Sequence, residues 1–203
     1  MASMARWLVP AVLLVCAYLA WERLVVERPV RHGPGVVAAK LPVQREVGAD
    51  APVFEKDGFR ARALASFELE ARVLRSKRYC CFGPDQLVPV DVVFGWGGMS
   101  DEAVLARLDI SQSGRFYFWR YQGNPPLPRR EIEVSSANMH LIPANQAIEK
   151  RIKSLREGQV VSLKGYLVEV KGDGGFTWRS SLTREDTGAG ACELIWVEEL
   201  YAI

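Results

Sequence analysis

The sequence is poor in the residues that most often bind metals or act in catalysis. Its 203 residues include two histidines and four cysteines, and no two cysteines are separated by two residues as in a C-x-x-C motif. A structural zinc site normally needs four closely spaced cysteine or histidine ligands. The sequence therefore predicts neither a metal site nor a bound cofactor.

The chain also lacks a marked excess of charge of either sign. It has 26 basic and 24 acidic residues, a formal net charge of +2. Six of the bases and four of the acids lie in residues 1–50, so residues 51–203 carry equal numbers of each. Nucleic-acid-binding domains usually show a basic excess or stripe. The charge balance therefore argues against a nucleic-acid partner.

Long apolar runs are absent except at the N-terminus. Residues 7–21 read WLVPAVLLVCAYLAW, and three more apolar residues follow Glu22 and Arg23. Fifteen helical residues span about 22 Å, whereas the hydrocarbon core of a bilayer is about 30 Å thick. If the two charges snorkel to the interface, the span extends over residues 7–26. This segment is predicted to be a transmembrane helix.

The same segment is predicted to remain uncleaved, as a signal-anchor. A cleavage site after Ala20 would place Tyr18 at a position that requires a small residue. The short tail with Arg6 is similar to the start of a secretory signal. We therefore expect a single-pass protein of the inner membrane, with its domain in the periplasm or otherwise outside the cytoplasm.

The remaining chain divides into two further parts by composition. Residues 29–52 contain four prolines and three glycines and follow no helical or strand period, which predicts a flexible linker. The expected organisation is thus a membrane anchor over 1–28, a linker over 29–52 and one globular domain over 53–203.

The domain is predicted to be α+β and mainly β. Apolar and charged residues alternate from Phe67 to Val73, which is typical of a half-buried strand. Several similar short segments follow, including one at 130–134. Only two short helices are expected, beginning after Ser100 and Asn145, which are typical N-cap residues. A small bent sheet or partly closed barrel fits this pattern, and an OB-like barrel is one candidate.

Four blocks are too particular for simple packing, and they carry a resemblance. They read GWGGMSD (95–101), ISQSGRFYFW (110–119), SSANMHLIPAN (135–145) and SSLTREDTGAGACE (180–193). Over about residues 66–198 the chain resembles a group of uncharacterised bacterial proteins with one N-terminal membrane segment. SSANMHLIPAN and LTREDTGAGACE are its most specific parts. The resemblance implies an anchor followed by a domain and implies no activity.

The same blocks contain the candidate binding residues. In residues 116–119 the aromatic side chains alternate, so one face should pack in the core while the other could stack on a sugar or a peptide. A glycine-rich polar loop precedes Cys192. The predicted binding residues are Trp96, Trp119, Asn138, His140, Asn145, Asp186 and Thr187. The expected partner is an envelope protein or a glycan.

A catalytic alternative uses His140 and Cys192. A β-rich domain behind one membrane segment, with a histidine 52 residues before a cysteine, resembles sortase transpeptidases. In sortases the cysteine follows a Leu-x-Thr motif and precedes an arginine. Here Ala-Gly-Ala precedes Cys192, no arginine follows it, and Arg184 or Arg179 would have to substitute.

Three functional hypotheses therefore remain open. The preferred one is a membrane-anchored, non-enzymatic binding domain of the envelope. The alternatives are a His/Cys-dependent hydrolase or transpeptidase and an OB-like oligonucleotide-binding module. Among the cysteines, a disulfide from Cys80 or Cys81 to Cys192 competes with buried thiols, and buried thiols are favoured.

Overall fold

The computed structural model describes residues 28–80, 83–183 and 191–203, together with residues 10, 12–15 and 17 near the N-terminus. Within these residues the chain is mainly β, as predicted. The strands are β1 Val43–Glu46, β2 Val53–Lys56, β3 Phe59–Arg78, β4 Val90–Gly95, β5 Asp109–Ser113, β6 Phe116–Arg120, β7 Ser136–Pro143, β8 Val160–Lys171, β9 Thr177–Arg179 and β10 Glu193–Ala202. The α-helices are α1 Pro84–Leu87, α2 Glu102–Leu105, α3 Arg129–Val134 and α4 Gln146–Lys153.

Five of the strands form a ring. Strand β3 pairs with β4, β4 with β7, β7 with β10, β10 with β8, and β8 returns to β3. Only the β7–β10 pairing is parallel. Strand β3 reaches both neighbours because it is 20 residues long and its pairings shift at Ala63–Ala65 and Val73–Arg75. Such bulges bend a strand, as closure of a small sheet requires.

The main core lies inside this ring. It is built from alternate residues of the ring strands, as the alternation at Phe67, Leu69 and Val73 predicts. Helix α4 adds Ile148 and Ile152 to the same core. The strands approach so closely that a side chain at Gly165 would collide with the backbone carbonyl of Trp196.

A separate hairpin, β5–β6, covers the outer face of the ring at β4 and β7. Its residues pair with each other and with no other strand of the described chain. Ile110 of β5 packs with Val93 of β4 and Ile132 of α3, while Tyr117 and Trp119 of β6 pack against this cluster. The hairpin therefore has a core face and an outer face.

The structure corrects the expectation that residues 29–52 form a flexible linker. The backbone N–H of Val30 donates to Glu157 at 2.8 Å, and Ala38 is buried at 3% exposure. Strand β1 pairs with β3. A proline- and glycine-rich composition prevents regular helix but does not prevent docking, because these hydrogen bonds are made to a neighbouring surface rather than within the segment.

Two local predictions were also wrong, whereas one was confirmed. Residues 129–134 form a helix rather than a strand, and the first predicted helix begins after Asp101, whose carboxylate accepts from the N–H of Ala103. By contrast, Asn145 caps α4 by accepting from Ala147 and Ile148.

No helix among the described residues is long and apolar enough to cross a membrane. The predicted anchor over 7–26 lies largely outside these residues.

The docking of the N-terminal segment depends on Ser100, which is completely buried. Its hydroxyl accepts from the N–H groups of Val37 and Ala38, at 3.2 and 3.1 Å, and donates to Gly97 at 2.8 Å. Ser100→Ala leaves those buried donors without their acceptor, so we expect a loss of roughly 1–3 kcal/mol in the free energy of unfolding. Hydrogen exchange of the full chain in detergent should accelerate at residues 35–38.

Ser113→Ala is the matched control, because Ser113 is exposed and lies on β5. Unchanged exchange at residues 35–38 in Ser100→Ala would show that these hydrogen bonds do not hold the segment.

Candidate functional site

A cleft of about 570 Å³ lies between the β5–β6 hairpin, the start of β7 and the start of β10. Residues 116–121 form one wall, and Ser136, Ala137 and Asn138 contribute from β7. Cys192 and Glu193 contribute from the start of β10. Three segments that are distant in sequence thus meet around one concave surface.

The aromatic residues of β6 divide between the two faces of the hairpin. Tyr117 and Trp119 pack toward the ring, whereas Phe116 and Phe118 are 42% and 49% exposed. Large exposed aromatic side chains beside a cleft are typical of a binding surface. The alternation in the sequence predicts this division, although it does not indicate which face is buried.

The polar groups of the cleft are fixed by local contacts. The Tyr117 hydroxyl lies 3.0 Å from Ser136 Oγ, which itself donates to the carbonyl of Ile132 at 2.7 Å. Trp119 stacks on Tyr121, with ring centroids 6.0 Å apart, and the Arg129 guanidinium lies 5.6 Å from the Trp119 ring. These contacts hold the wall of the cleft in one arrangement.

Among the described residues, the charged side chains that line the cleft are equal in number for the two signs. Arg120 and Arg129 contribute two positive charges, and Glu133 and Glu193 contribute two negative ones. The described part of the lining therefore offers no excess of positive charge to a polyanion such as a nucleic acid.

A second cluster of polar side chains is buried beneath the hairpin. Asp91 on β4 and His140 on β7 lie opposite each other, and His140 Nδ1 is 2.8 Å from Asp91 Oδ1. Arg115, at the turn of the hairpin, donates from Nη1 to Asp91 at 2.8 Å and from Nη2 to Asp85 at 2.5 Å. Asp91 is completely buried and His140 is 3% exposed.

Two aromatic rings enclose this cluster. The Arg115 guanidinium lies 4.1 Å from the centre of the Tyr79 ring, and the His140 ring lies 4.7 Å from that of Trp178. Burial, followed by the negative charge of Asp91, raises the pKa of Tyr79 to about 12. The cluster joins β4, β7 and the hairpin, so its evident role is to position the hairpin.

The structure separates His140 from the cleft that Cys192 lines. Leu194 on β10 pairs with His140 on β7. Cys192 lies two positions earlier, which places it beside Asn138, and both of these residues line the cleft. His140 does not line it, because its ring lies under the hairpin against Asp91 and Trp178.

The other predicted site residues fall into three groups. Trp96 and Trp119 line the cleft, although Trp96 is 1% exposed. Asn145 caps α4. Arg184, Asp186 and Thr187 lie outside the described residues. Sequence reasoning missed Asp91 and Arg115, and the available signal was an aspartate inside the apolar run of residues 88–94.

The two cysteines that the structure describes are less buried than expected. Cys80 is exposed and forms no disulfide, and Cys192 is half-buried. Cys81 lies outside the described residues. Among the residues that are described, no group of three or more histidine, cysteine, aspartate or glutamate side chains is arranged to hold a metal ion.

Comparison with known proteins adds no function to this geometry. No family model, curated protein or solved structure matches the chain.

The raised pKa of Tyr79 predicts a loss of stability at alkaline pH. Because the folded-state pKa is about 12 and the ordinary value is 10, the neutral form favours folding. This stabilisation is fully present below pH 10 and is lost as the pH rises from 10 to about 12. Urea midpoints of the full chain in detergent should fall less steeply over that range in Tyr79→Phe than in the wild type.

Tyr201→Phe is the control, because Tyr201 is 50% exposed. If the urea midpoints of the wild type and Tyr79→Phe depended equally on pH, Tyr79 would not be the source of the alkaline loss of stability.

Proposed function

We propose that this chain is a membrane-anchored envelope protein whose β-rich domain binds a partner without acting on it chemically. The observation that carries the proposal is the cleft beside β6, where Phe116 and Phe118 are exposed next to the polar start of β7. The membrane segment holds the domain at the outer face of the inner membrane. The partner is an envelope protein or a glycan.

Two features support the anchor. Val12, Leu13, Leu14 and Val15 are helical and 57–72% exposed, so they are apolar side chains that the described domain does not cover. The chain then docks at Val30, only four residues after the predicted span. Four extended residues reach at most about 14 Å, so the domain would lie directly against the membrane surface.

The position of His140 favours binding over catalysis. A cysteine nucleophile needs a base or a positive group close by. His140 is 3% exposed and engaged by Asp91, whereas Cys192 lies beside Asn138. His140 therefore does not occupy the position of the base that the hydrolase or transpeptidase alternative assigns to it at Cys192.

The order of the five strands around the ring, β3-β4-β7-β10-β8, supports the OB-like version of the fold. OB folds are five-stranded, partly open Greek-key barrels that bind oligonucleotides on the face of their second and third strands. The corresponding strands here are β4 and β7, and the β5–β6 hairpin covers their outer face. Together with the balanced charge of the cleft, this cover argues against the oligonucleotide-binding alternative.

Alkylation separates the binding hypothesis from the enzyme hypothesis. We expect iodoacetamide to label the half-buried Cys192 of the folded full chain more slowly than the exposed Cys80. His140→Ala should leave the Cys192 rate unchanged, because His140 contacts Asp91 instead. Mass spectrometry at each cysteine gives the rates, with His32→Ala as the control variant. Rapid labelling of Cys192 that requires His140 would favour the enzyme.

Reporter fusions test the topology. The C-terminal Ile203 is 67% exposed, so it accepts a fused reporter. A C-terminal alkaline phosphatase fusion should be active and remain with the membranes, and removal of residues 7–26 should abolish both properties. A fluorescent GFP fusion with an inactive phosphatase fusion would place the domain in the cytoplasm instead.

A further inference from the structure

The turn of the β5–β6 hairpin determines which backbone groups of β6 point outward. Gly114 and Arg115 both have positive φ, 55° and 66°, and they form a two-residue turn between the paired residues Ser113 and Phe116. Such a turn makes its flanking residues a hydrogen-bonded pair. Because hydrogen-bonded and non-hydrogen-bonded pairs alternate in antiparallel strands, the N–H and C=O groups of Tyr117 and Trp119 point away from β5.

A side-chain contact on the opposite edge agrees with this register. Ile110 pairs with Trp119, so its carbonyl should also point away from the hairpin. It does, because it accepts from Arg75 Nε at 2.7 Å. The equivalent edge of β6 has no strand partner within the described chain.

The cleft runs along this open edge rather than beside one face of β6. All six consecutive residues from 116 to 121 line it. If the cleft lay beside one face of β6, only every second residue would line it, because successive side chains of a strand point to opposite sides. The outward N–H and C=O groups of Tyr117 and Trp119, about 7 Å apart, therefore face the cleft.

We propose that the occupant of the cleft is an extended polypeptide segment of a partner protein, which adds to β6 as a third strand. This inference rests on the proposed binding function and names its ligand. An open strand edge offers alternating donors and acceptors that the backbone of another strand satisfies. Alternate apolar side chains of the peptide would pack on Phe116 and Phe118.

The character of the walls favours a peptide over a polyanion or a sugar. Among the described lining residues the charges of Arg120, Arg129, Glu133 and Glu193 cancel, so this part of the cleft does not favour a phosphate backbone. A sugar can stack on one aromatic face, but it has no regular series of amide groups to match the edge of β6. The open edge is thus specific for backbone amides.

The test uses a random twelve-residue peptide library selected against the full wild-type chain in detergent. Selected peptides should bind Phe118→Asp at least about tenfold more weakly, because a charge then lies where apolar side chains pack. Phe118 is 49% exposed, so this substitution leaves the core intact. Tyr201→Asp, at a similarly exposed aromatic residue outside the cleft lining, should bind normally.

Backbone methylation identifies strand addition. Replacing a peptide N–H by N-methyl should weaken binding about tenfold at alternate positions, where an edge hydrogen bond is lost. The intervening positions should tolerate the same change. Binding that depends on Phe118 but is insensitive to N-methylation at every position would overturn the proposal.

Two further probes distinguish failure of this inference from failure of the binding function. Chitotetraose and an eight-nucleotide oligothymidine are measured on the same variants. If either binds in a Phe118-dependent manner and no peptide does, the cleft binds a ligand but the peptide inference is wrong. If no probe and no selected peptide depends on Phe118, both proposals are wrong.

Discussion

The buried ion pair between Asp91 and Arg115 positions the part of the molecule on which the candidate site depends. Asp91 is completely buried on β4, and Arg115 reaches it from the turn of the hairpin. Burying either charge alone would cost several kcal/mol, whereas the paired and hydrogen-bonded arrangement offsets much of that cost. The pair therefore favours one location of the hairpin over others that would leave the buried Asp91 carboxylate without the Arg115 charge.

That location has two consequences for function. The hairpin covers the outer face of β4 and β7, so His140 is buried instead of facing a ligand. It also leaves the outer edge of β6 beside the cleft. The hairpin thus buries the outer face of β4 and β7 and presents a new exposed surface next to it. The exposed side chains of Phe116 and Phe118 belong to this new surface.

The docked N-terminal segment connects this domain to the predicted anchor. Hydrogen bonds from Val30 to Glu157 and from residues 35–38 to the region around Ser100 hold residues 30–38 against the domain. A partner peptide bound at β6 would then be held at a defined distance from the membrane. A long free tether would not impose this constraint.

The sequence by itself determined the features that depend on neighbouring residues. Alternation from Phe67 to Val73 predicted the β-rich core, and Asn145 predicted the start of α4, because strand faces and helix caps are local properties. Only the tertiary structure decided which strands pair, that residues 29–52 dock, and that His140 contacts Asp91 rather than Cys192. These contacts join residues that are far apart in the chain, and several partners of similar polarity compete for each of them. Packing of the whole ring, which no local pattern records, selects among those partners.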